Sequence, residues 1–494
     1  MEESRKRHCW ECRRRCLVCD FTRPACKRCL ASGTACPGYG KTKPSRLRWV
    51  SPGRVTAQKT RRGTPTAKDE RNNGEAVTRA AAELSRLSNY GDVLRFEIRT
   101  EASAVVQAAE YYNTCIFHDL APIHELGQNP HIYRILPAHL KASTALPDFL
   151  NLGAVCMTLT HRRQRTRDES QCIALEETYY RYRGSVIRSL NQTIKHEHQQ
   201  LGDAVLVGIL TLLMTDAQHG ASSAWRWHIK AIQRIITLRG GVRALPRSLE
   251  PLLLTFMCTV AFANTTSPSS NLTLDISCLD GLNSVLGQIS YTTSISPFQL
   301  CPIPLFAEIM KINYIRMHAT EYSMADGFSC DAYAILGRIS AFSPEQWSED
   351  KPSKEHWLLL GNIYSLAVEL YCISSLQSLS VLPSHPALRT RCATRGQLLR
   401  DLINESLSYP QTKRFVLWPL IVLGVEAVHR VTMRAFVRGQ LLEMNHHTGS
   451  YTPIVARAVL KKFWDSGQTD WDSCFDRPYA FPMQILLDMN RILL

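Results

Sequence analysis

The sequence predicts a mainly α protein built from a small cysteine-rich module, a flexible basic linker and a large all-helical domain. Apolar residues recur at spacings of three and four over most of the chain beyond residue 100. Strand-like alternation bounded by turns is scarce. Seven of the 17 cysteines fall within the first 36 residues, where few aliphatic side chains could build a core. The expected parts are residues 1–40 (module), 41–75 (linker), 76–98 (a short helix) and 99–494 (helical domain).

Charge separates the first part of the chain from the rest. The net charge is +15 over 494 residues, and residues 1–63, with 17 Lys and Arg against 4 Asp and Glu, contribute +13 of it. This asymmetry indicates a polyanionic partner for the N-terminal part. No apolar segment follows the first eight residues, so we expect no secretory signal. The apolar stretch 251–263 is too short to cross a bilayer, which predicts a buried helix and no membrane contact.

The cysteines of the module form an internal duplication. Two sets of three share the spacing Cys-x2-Cys-x6-Cys, 17 residues apart: Cys9, Cys12 and Cys19, then Cys26, Cys29 and Cys36. Two thiolates separated by two residues can close on one metal ion, and soft thiolates suit Zn²⁺. The spacing therefore predicts a structural zinc site, and so small a segment needs the metal in order to fold.

The number of thiolates favours two zinc ions per chain. Two tetrahedral ions need eight ligand positions, which six thiolates fill only if two of them bridge both ions. Cys9 and Cys26, which begin the two repeats, are the expected bridges. Cys16 lies outside the duplication but forms a metal-type pair with Cys19. An alternative is therefore that Cys16 replaces one of the six expected ligands. The expected ligand sets are Cys9, Cys12, Cys19 and Cys26 for one ion, and Cys9, Cys26, Cys29 and Cys36 for the other.

The run CWECRRRCLVCDFTRPACKRCLASGTACPGYG at residues 9–40 resembles the binuclear zinc cluster of fungal transcription factors. The spacing, the arginines after Cys12, Asp20, Arg23-Pro24 and Gly38-Tyr39 carry the resemblance. It implies a zinc-dependent, sequence-specific regulator of RNA polymerase II genes in the nucleus of a fungus. It also implies double-stranded DNA with CGG-like half-sites and the transcription machinery as partners. Basic runs at 5–7 and 59–62 fit nuclear import.

The resemblance also implies which side chains contact DNA. Arginines presented on a short helix after the second cysteine can grip guanine edges or clamp phosphate. The basic pair of the second repeat usually contacts phosphate in the family. The expected DNA-contacting residues are Arg13, Arg14, Arg15, Lys27 and Arg28.

Two positions depart from the family pattern. Cys16 and Val18 stand where the family usually has Lys, and the first of these lysines typically reaches the base edges of a half-site. An intact cluster with altered base reading is therefore expected. These two positions also favour an alternative function, in which an interaction protein keeps its zinc cluster, reads DNA weakly and acts through its helical domain.

Residues 41–98 predict a linker followed by one short helix. Residues 41–75 are rich in Lys, Arg, Thr, Pro and Gly, and almost no apolar residue follows Val55, which is typical of a flexible segment. A weak heptad then ends at Gly91. The heptad is shorter than a coiled coil requires, so the sequence does not decide whether the chain forms a homodimer through this helix. The heptad positions are Val77, Ala80, Leu84 and Leu87.

The helical domain shows eight segments with apolar residues at helical spacing. They are 101–117, 173–194, 203–218, 223–239, 249–263, 356–376, 395–407 and 414–443. The clearest is 223–239, in which Trp225, Ile229, Ile232 and Ile236 share one face and a Gly-Gly pair predicts the end. Residues 264–300, rich in Ser, Thr, Asn and Pro, predict a loop or insertion.

Two short stretches of this domain resemble the regulatory middle region of a large group of the same fungal regulators. They are WRWHIKAI from Trp225, followed by LRGG, and FHDLAP from Phe117. The resemblance implies effector response, partner contact or repression of an activation function. From the residues alone, Trp225, Trp227 and His228 are expected to pack as ordinary helix residues. Neither a Gly-x-Ser-x-Gly elbow nor a His-Glu-x-x-His helix is present, so we expect no enzymatic activity.

Aromatic and acidic residues alternate near the C-terminus. Trp464, Trp471 and Phe475 are interleaved with aspartates, as in disordered activation segments. Residues 460–480 are therefore expected to contribute to transcriptional output, against the alternative that they pack on the body. The apolar stretch 482–494 predicts a final helix.

Overall fold

The computed structural model describes residues 9, 12, 19–32, 36, 101–127, 132–196, 201–220, 224–273, 301–319 and 325–481. The chain divides into two compact units, Met1–Thr66 and Ala67–Leu494, and each is treated by itself below. The described residues form helices and no strand, which confirms the mainly α prediction. The predicted linker, the predicted helix at 76–98 and residues 482–494 lie outside the described residues.

The N-terminal unit contains one described helix, α1 (Lys27–Ala31). The helices of the second unit are, in chain order, α2 (Glu101–Tyr111), α3 (Phe117–Leu120), α4 (Pro137–Ser143), α5 (Asp148–Arg165), α6 (Glu169–Ile194), α7 (Asp203–His219), α8 (Trp225–Leu238), α9 (Glu250–Thr265), α10 (Ile303–His318), α11 (Ala325–Ala341), α12 (Pro344–Ser348), α13 (Lys354–Gln377), α14 (Pro386–Leu407), α15 (Leu417–Glu426), α16 (Val431–Thr448) and α17 (Thr452–Ser466). A π-helical turn, Tyr112–Ile116, joins α2 to α3.

All eight predicted helical segments coincide with helices, with one correction. The segment 414–443 is not continuous, because Arg430 adopts an extended backbone (φ −139°, ψ 105°) between α15 and α16. At the break, the Ala427 oxygen accepts the backbone N–H of Arg430 at 2.9 Å and Nε of Arg434 at 3.2 Å, and the Arg434 guanidinium also donates to the Val428 oxygen. Four long helices were missed by the pattern: α5, α10, α11 and α17.

Two helices form the centre of the second unit. Every residue of α7 from Val205 to His219 is buried, because α5 and α8 pack on it. Helix α13 packs against α10, α11, α14 and α15. Within the described ranges, α13 alone is long and apolar enough to cross a bilayer, and 78% of its most apolar window is buried inside the unit, which fits a core helix. The stretch 251–263 lies in α9, whose Phe256 and Val260 are fully buried, as predicted.

The predicted loop at 264–300 begins inside the core. Helix α9 continues to Thr265, whose Oγ1 accepts a hydrogen bond from Trp418 Nε1 at 2.8 Å and whose carbonyl accepts one from Trp471 Nε1 at 2.9 Å. Residues 264–267 are all buried. The loop prediction is therefore wrong for residues 264 and 265, which are helical, whereas the chain leaves the helix at Thr266, and 274–300 lie outside the described residues.

The predicted activation segment at 460–480 is packed into the same core. Trp471 is 1% exposed and Phe475 is 2% exposed. Asp472 is paired with the buried guanidinium of Arg316 at 2.8 Å. Both aromatic side chains and this acid are part of the folded core, so the packed alternative is correct for them, and the contribution of 460–480 to transcriptional output stays a prediction.

Candidate metal centre

The two cysteine repeats adopt the same local geometry. In the first repeat, the backbone N–H of Cys12 donates to Cys9 Sγ at 3.3 Å. In the second, the backbone N–H of Cys29 donates to Cys26 Sγ at 3.3 Å, and Cys26 is the N-cap of α1. The two-residue spacing thus turns the chain so that both thiols of a pair approach one point.

The six sulfur atoms form two overlapping groups. Within each group all sulfurs lie within 4.8 Å of one another, and Cys9 and Cys26, 3.7 Å apart, belong to both. The groups coincide with the two ligand sets expected from the spacing. They are Cys9, Cys12, Cys19 and Cys26, and Cys9, Cys26, Cys29 and Cys36. Each group could hold one metal ion.

The spacing of the sulfurs fits zinc. Four thiolates at the usual Zn–S distance around a tetrahedral ion are separated by about 3.8 Å. Here Cys12 and Cys26 sulfurs are 3.6 Å apart, and Cys9 and Cys29 sulfurs are 3.8 Å apart. Both distances are well beyond the length of a disulfide bond.

Burial favours the neutral thiols unless a cation is present. Cys9, Cys12, Cys19, Cys26 and Cys29 are at most 2% exposed. Burial is the main cause that raises the pKa of the Cys9 and Cys12 thiols, and it raises the pKa of Cys29 to about 12. A bound divalent ion would reverse this preference and stabilise the thiolates. The donor set therefore fits a structural zinc centre.

A short loop joins the repeats and orients α1. Asp20 Oδ2 accepts hydrogen bonds from Thr22 Oγ1 at 2.5 Å and from the backbone N–H of Lys27 at 3.1 Å. These bonds, the Thr22 contact first, lower the pKa of Asp20. Phe21 packs against the cysteine cluster. The loop thereby fixes the start of α1 beside the sulfurs.

The expected DNA-contacting residues are only partly placed. Lys27 and Arg28 lie exposed on the first turn of α1, where no acidic residue accompanies them. Leu30, 65% exposed, lies on the same helix. Arg13, Arg14 and Arg15 lie outside the described residues, as do Cys16 and Val18.

In the second unit, the motif on α8 divides between core and surface. Trp225 is 4% exposed and packs in the core, and His228 Nε2 lies 3.0 Å from Asp216 Oδ2. Asp216 is also held by two hydrogen bonds from Arg183, at 2.6 and 2.7 Å. Trp227, by contrast, is 69% exposed, so the expectation that it packs in the core is wrong.

The FHDLAP stretch places one carboxylate among several basic groups, which the sequence pattern did not reveal. Asp119 is paired with Arg165 and lies 3.6 Å from Arg414 and 3.7 Å from His161 Nε2. His161 Nδ1 lies 3.1 Å from the Tyr111 hydroxyl. The acid therefore joins α3 to α5 and to the segment that precedes α15.

The chain is similar to known proteins over nearly its whole length. Residues 108–486 match the family model described as "Fungal specific transcription factor domain". The chain is 44% identical, over 511 aligned positions, to the phomenoic acid biosynthesis cluster-specific transcriptional regulator of Leptosphaeria maculans; the alignment covers 100% of this chain and 92% of that protein. No solved structure matches the chain significantly.

Proposed function

Because the chain belongs to the fungal specific transcription factor family, it is a regulator of transcription. We propose that it binds double-stranded DNA through a two-zinc module formed by six N-terminal cysteines. The family and the Leptosphaeria relative are regulators of transcription and not enzymes. The observation that carries the proposal is the pair of overlapping sulfur groups that share Cys9 and Cys26.

Zinc would act structurally in this module. When bound, it would hold the six thiolates in one cluster and supply the folding free energy that a segment of this size cannot obtain from apolar burial. The loop from Asp20 to Lys27 then holds α1 in a fixed orientation beside the cluster. Lys27 and Arg28, whose side chains are exposed, are suited to phosphate contacts.

We assign the recognition of DNA bases to the arginines of the first cysteine repeat. Arg13, Arg14 and Arg15 directly follow Cys12, whereas the basic pair of the second repeat lies between Cys26 and Cys29. Arginine can bind guanine O6 and N7 together, which suits a CGG-like half-site. The regulator would act on RNA polymerase II genes in the nucleus, together with the transcription machinery.

A target class follows from the relative. The Leptosphaeria protein is named as a regulator specific to the gene cluster for one biosynthetic product. We infer that this chain likewise controls a set of biosynthetic genes. Deleting its gene should lower or raise transcripts of one such set together; transcripts that change only singly across the genome would argue against this target class.

DNA binding is tested with the full chain. Site selection should return a defined half-site, and affinity should fall steeply with salt because phosphate contacts release counterions. Arg13→Ala or Arg15→Ala should cost about 1–3 kcal/mol and relax specificity at one base. Lys27→Ala should weaken binding to all DNA sequences alike and should reduce the slope of log affinity against log salt concentration by about one. Lys461→Ala, an exposed change in α17, is the matched control.

Cys16 and Val18 support the second candidate function, a zinc-cluster interaction protein that reads DNA weakly. Cys16→Lys should tighten binding to CGG-containing DNA if position 16 faces the bases. A chain that holds zinc but selects no sequence, and stays unselective with Cys16→Lys, would favour the interaction protein over the sequence-specific regulator.

A further inference from the structure

The outward face of α8 is both apolar and positively charged. Trp227 is 69% exposed and Leu238 is 51% exposed. Lys230 and Arg234, which lie between them along the helix, are also exposed. The spacing of three and four residues places all four on one side of the helix. The opposite side, which includes Ile229, packs on α7.

Lys230 and Arg234 have no acidic partner in the part of the chain that the structure describes. Helix α8 contains neither Asp nor Glu. Among the described residues, no carboxylate forms an ion pair with Lys230 or Arg234, and the Lys230 ammonium instead lies 5.1 Å from the centre of the Trp227 ring. Arg239 just beyond the helix differs, because it is paired with Asp203 at 2.7 Å. The face therefore carries an unbalanced positive charge next to two exposed apolar side chains.

We propose that this face binds a short acidic amphipathic helix of another protein. Its apolar side chains would pack on Trp227 and Leu238, and its carboxylates would pair with Lys230 and Arg234. The span from 227 to 238 is about 16 Å, at the usual rise per residue, and matches three turns of a partner helix. Tryptophan and arginine are among the residues that most often carry the binding energy of protein interfaces.

Charge argues against the other occupants. A second copy of α8 would bring Lys230 and Arg234 against identical cations, which is unfavourable at an interface. The aromatic residues Trp471 and Phe475 of this chain are packed in its own core and are not available. A nucleic acid would satisfy the cations but would leave Leu238 without an apolar partner. Helix α8 belongs to the second unit, so binding at this face requires neither zinc nor DNA.

The test uses the full chain and a labelled 16-residue helical peptide with glutamates on one face and leucine and phenylalanine on the other. Binding is followed by fluorescence anisotropy. Trp227→Ala should weaken binding at least tenfold, and so should Lys230→Glu combined with Arg234→Glu. A peptide of the same composition in scrambled order should bind at least tenfold more weakly than the helical one. These side chains are exposed, so the thermal midpoint of unfolding should not move.

The matched control lies on α16, which exposes the same types of residue elsewhere. Val431 is 77% exposed and Arg438 is also exposed. Val431→Ala with Arg438→Glu should leave peptide affinity within twofold of the wild type. A peptide with lysines in place of the glutamates should bind the charge-reversed α8 variant at least tenfold better than it binds the wild type.

Three outcomes would overturn the proposal. Equal peptide affinity in the wild type and both α8 variants would remove the face as a binding surface. A change in oligomeric state on Trp227→Ala, measured by light scattering, would assign the face to contacts between copies of this chain. A loss of nonspecific duplex DNA binding in both α8 variants, with peptide affinity unchanged, would assign it to nucleic acid.

Discussion

Gly449 lies directly against the imidazole ring of His161. A Cβ atom added at position 449 would come within 2.1 Å of His161 Cδ2 and 2.5 Å of its Nε2. Gly449 ends α16 with φ +61°, and His161 is fully buried in α5. The contact joins a helix from the first half of the second unit to one from its last part. It exists only because position 449 carries no side chain.

Gly449→Ala should therefore destabilise the second unit strongly. The left-handed backbone alone costs an alanine about 1–2 kcal/mol, and displacement of the His161 ring adds to it, so a total loss above about 3 kcal/mol is expected in urea unfolding. Gly467→Ala is the matched control, because Gly467 ends α17 with φ +75° and an added Cβ there meets no atom within 4 Å. His161→Ala should recover part of the loss in the double variant. Equal losses at positions 449 and 467 would contradict the contact.

His161 should also make stability depend on pH. Burial, reinforced by the cations of Arg414 and Arg165, lowers the pKa of His161 to about 3, although Asp119 lies 3.7 Å away. In the unfolded chain a histidine titrates near pH 6.5, so unfolding takes up one proton between pH 6.5 and 3. Stability is then lost as the pH falls through this window, by about 1.4 kcal/mol per unit well below pH 6.5.

The measurement is the free energy of unfolding at several pH values between 6 and 5. The slope of this free energy against pH gives the number of protons taken up on unfolding, and His161→Gln should reduce that number by about one. His446→Gln, at an exposed position of α16, is the control and should leave the slope as in the wild type. An unchanged slope in His161→Gln would show that His161 does not remain neutral in the folded protein.

Local patterns predicted much of the fold and the grouping of the cysteines. The six cysteines of the two repeats lie within 28 residues, so their spacing alone indicates which sulfurs meet. Helix α8 was predicted because its buried side chains recur at helical spacing. Helix α5 was missed because polar residues that include Thr160, His161 and Gln164 are buried in it, which obscures its apolar face.

Contacts between distant parts of the chain could not be predicted in this way. The pattern of aspartates near the C-terminus predicts an exposed segment, but Asp472 pairs with Arg316, which is 156 residues earlier in the chain and cannot be identified from the local sequence. Trp225 and Trp227 differ in exposure because α8 turns one of them towards α7 and the other away from it. The residue pattern of a single helix distinguishes its apolar face from the opposite face. It does not show whether another element covers that opposite face.

The pair of Arg316 and Asp472 should stabilise the C-terminal segment. The Arg316 guanidinium is fully buried, donates to Asp472 at 2.8 Å and also donates to the carbonyls of Asn264 and Ser267. Asp472→Ala would leave a buried cation without its carboxylate, which costs about 3–5 kcal/mol. Asp465→Ala removes an exposed pair with Lys461 and should cost less than about 1 kcal/mol. Similar losses in the two variants, measured by urea unfolding, would show that Asp472 contributes no more than a surface pair.

Zinc stoichiometry tests the bridged arrangement of the sulfurs. The purified full chain should hold two zinc ions, measured by elemental analysis. Cys9→Ala or Cys26→Ala should lose both, because each sulfur belongs to both groups. Cys12→Ala or Cys36→Ala should lose only one, because each belongs to a single group.

Cys16→Ser is the control for this series and should lose neither ion, since Cys16 lies outside the duplicated spacing. Circular dichroism checks that each cysteine variant still folds. The helical signal comes mainly from the second unit, which has its own core, so this signal should persist in every variant. A metal loss with an unchanged helical signal then reports on the module alone. One zinc per wild-type chain, the same loss from Cys9→Ala as from Cys12→Ala, or a loss from Cys16→Ser would each rule out two ions bridged by Cys9 and Cys26.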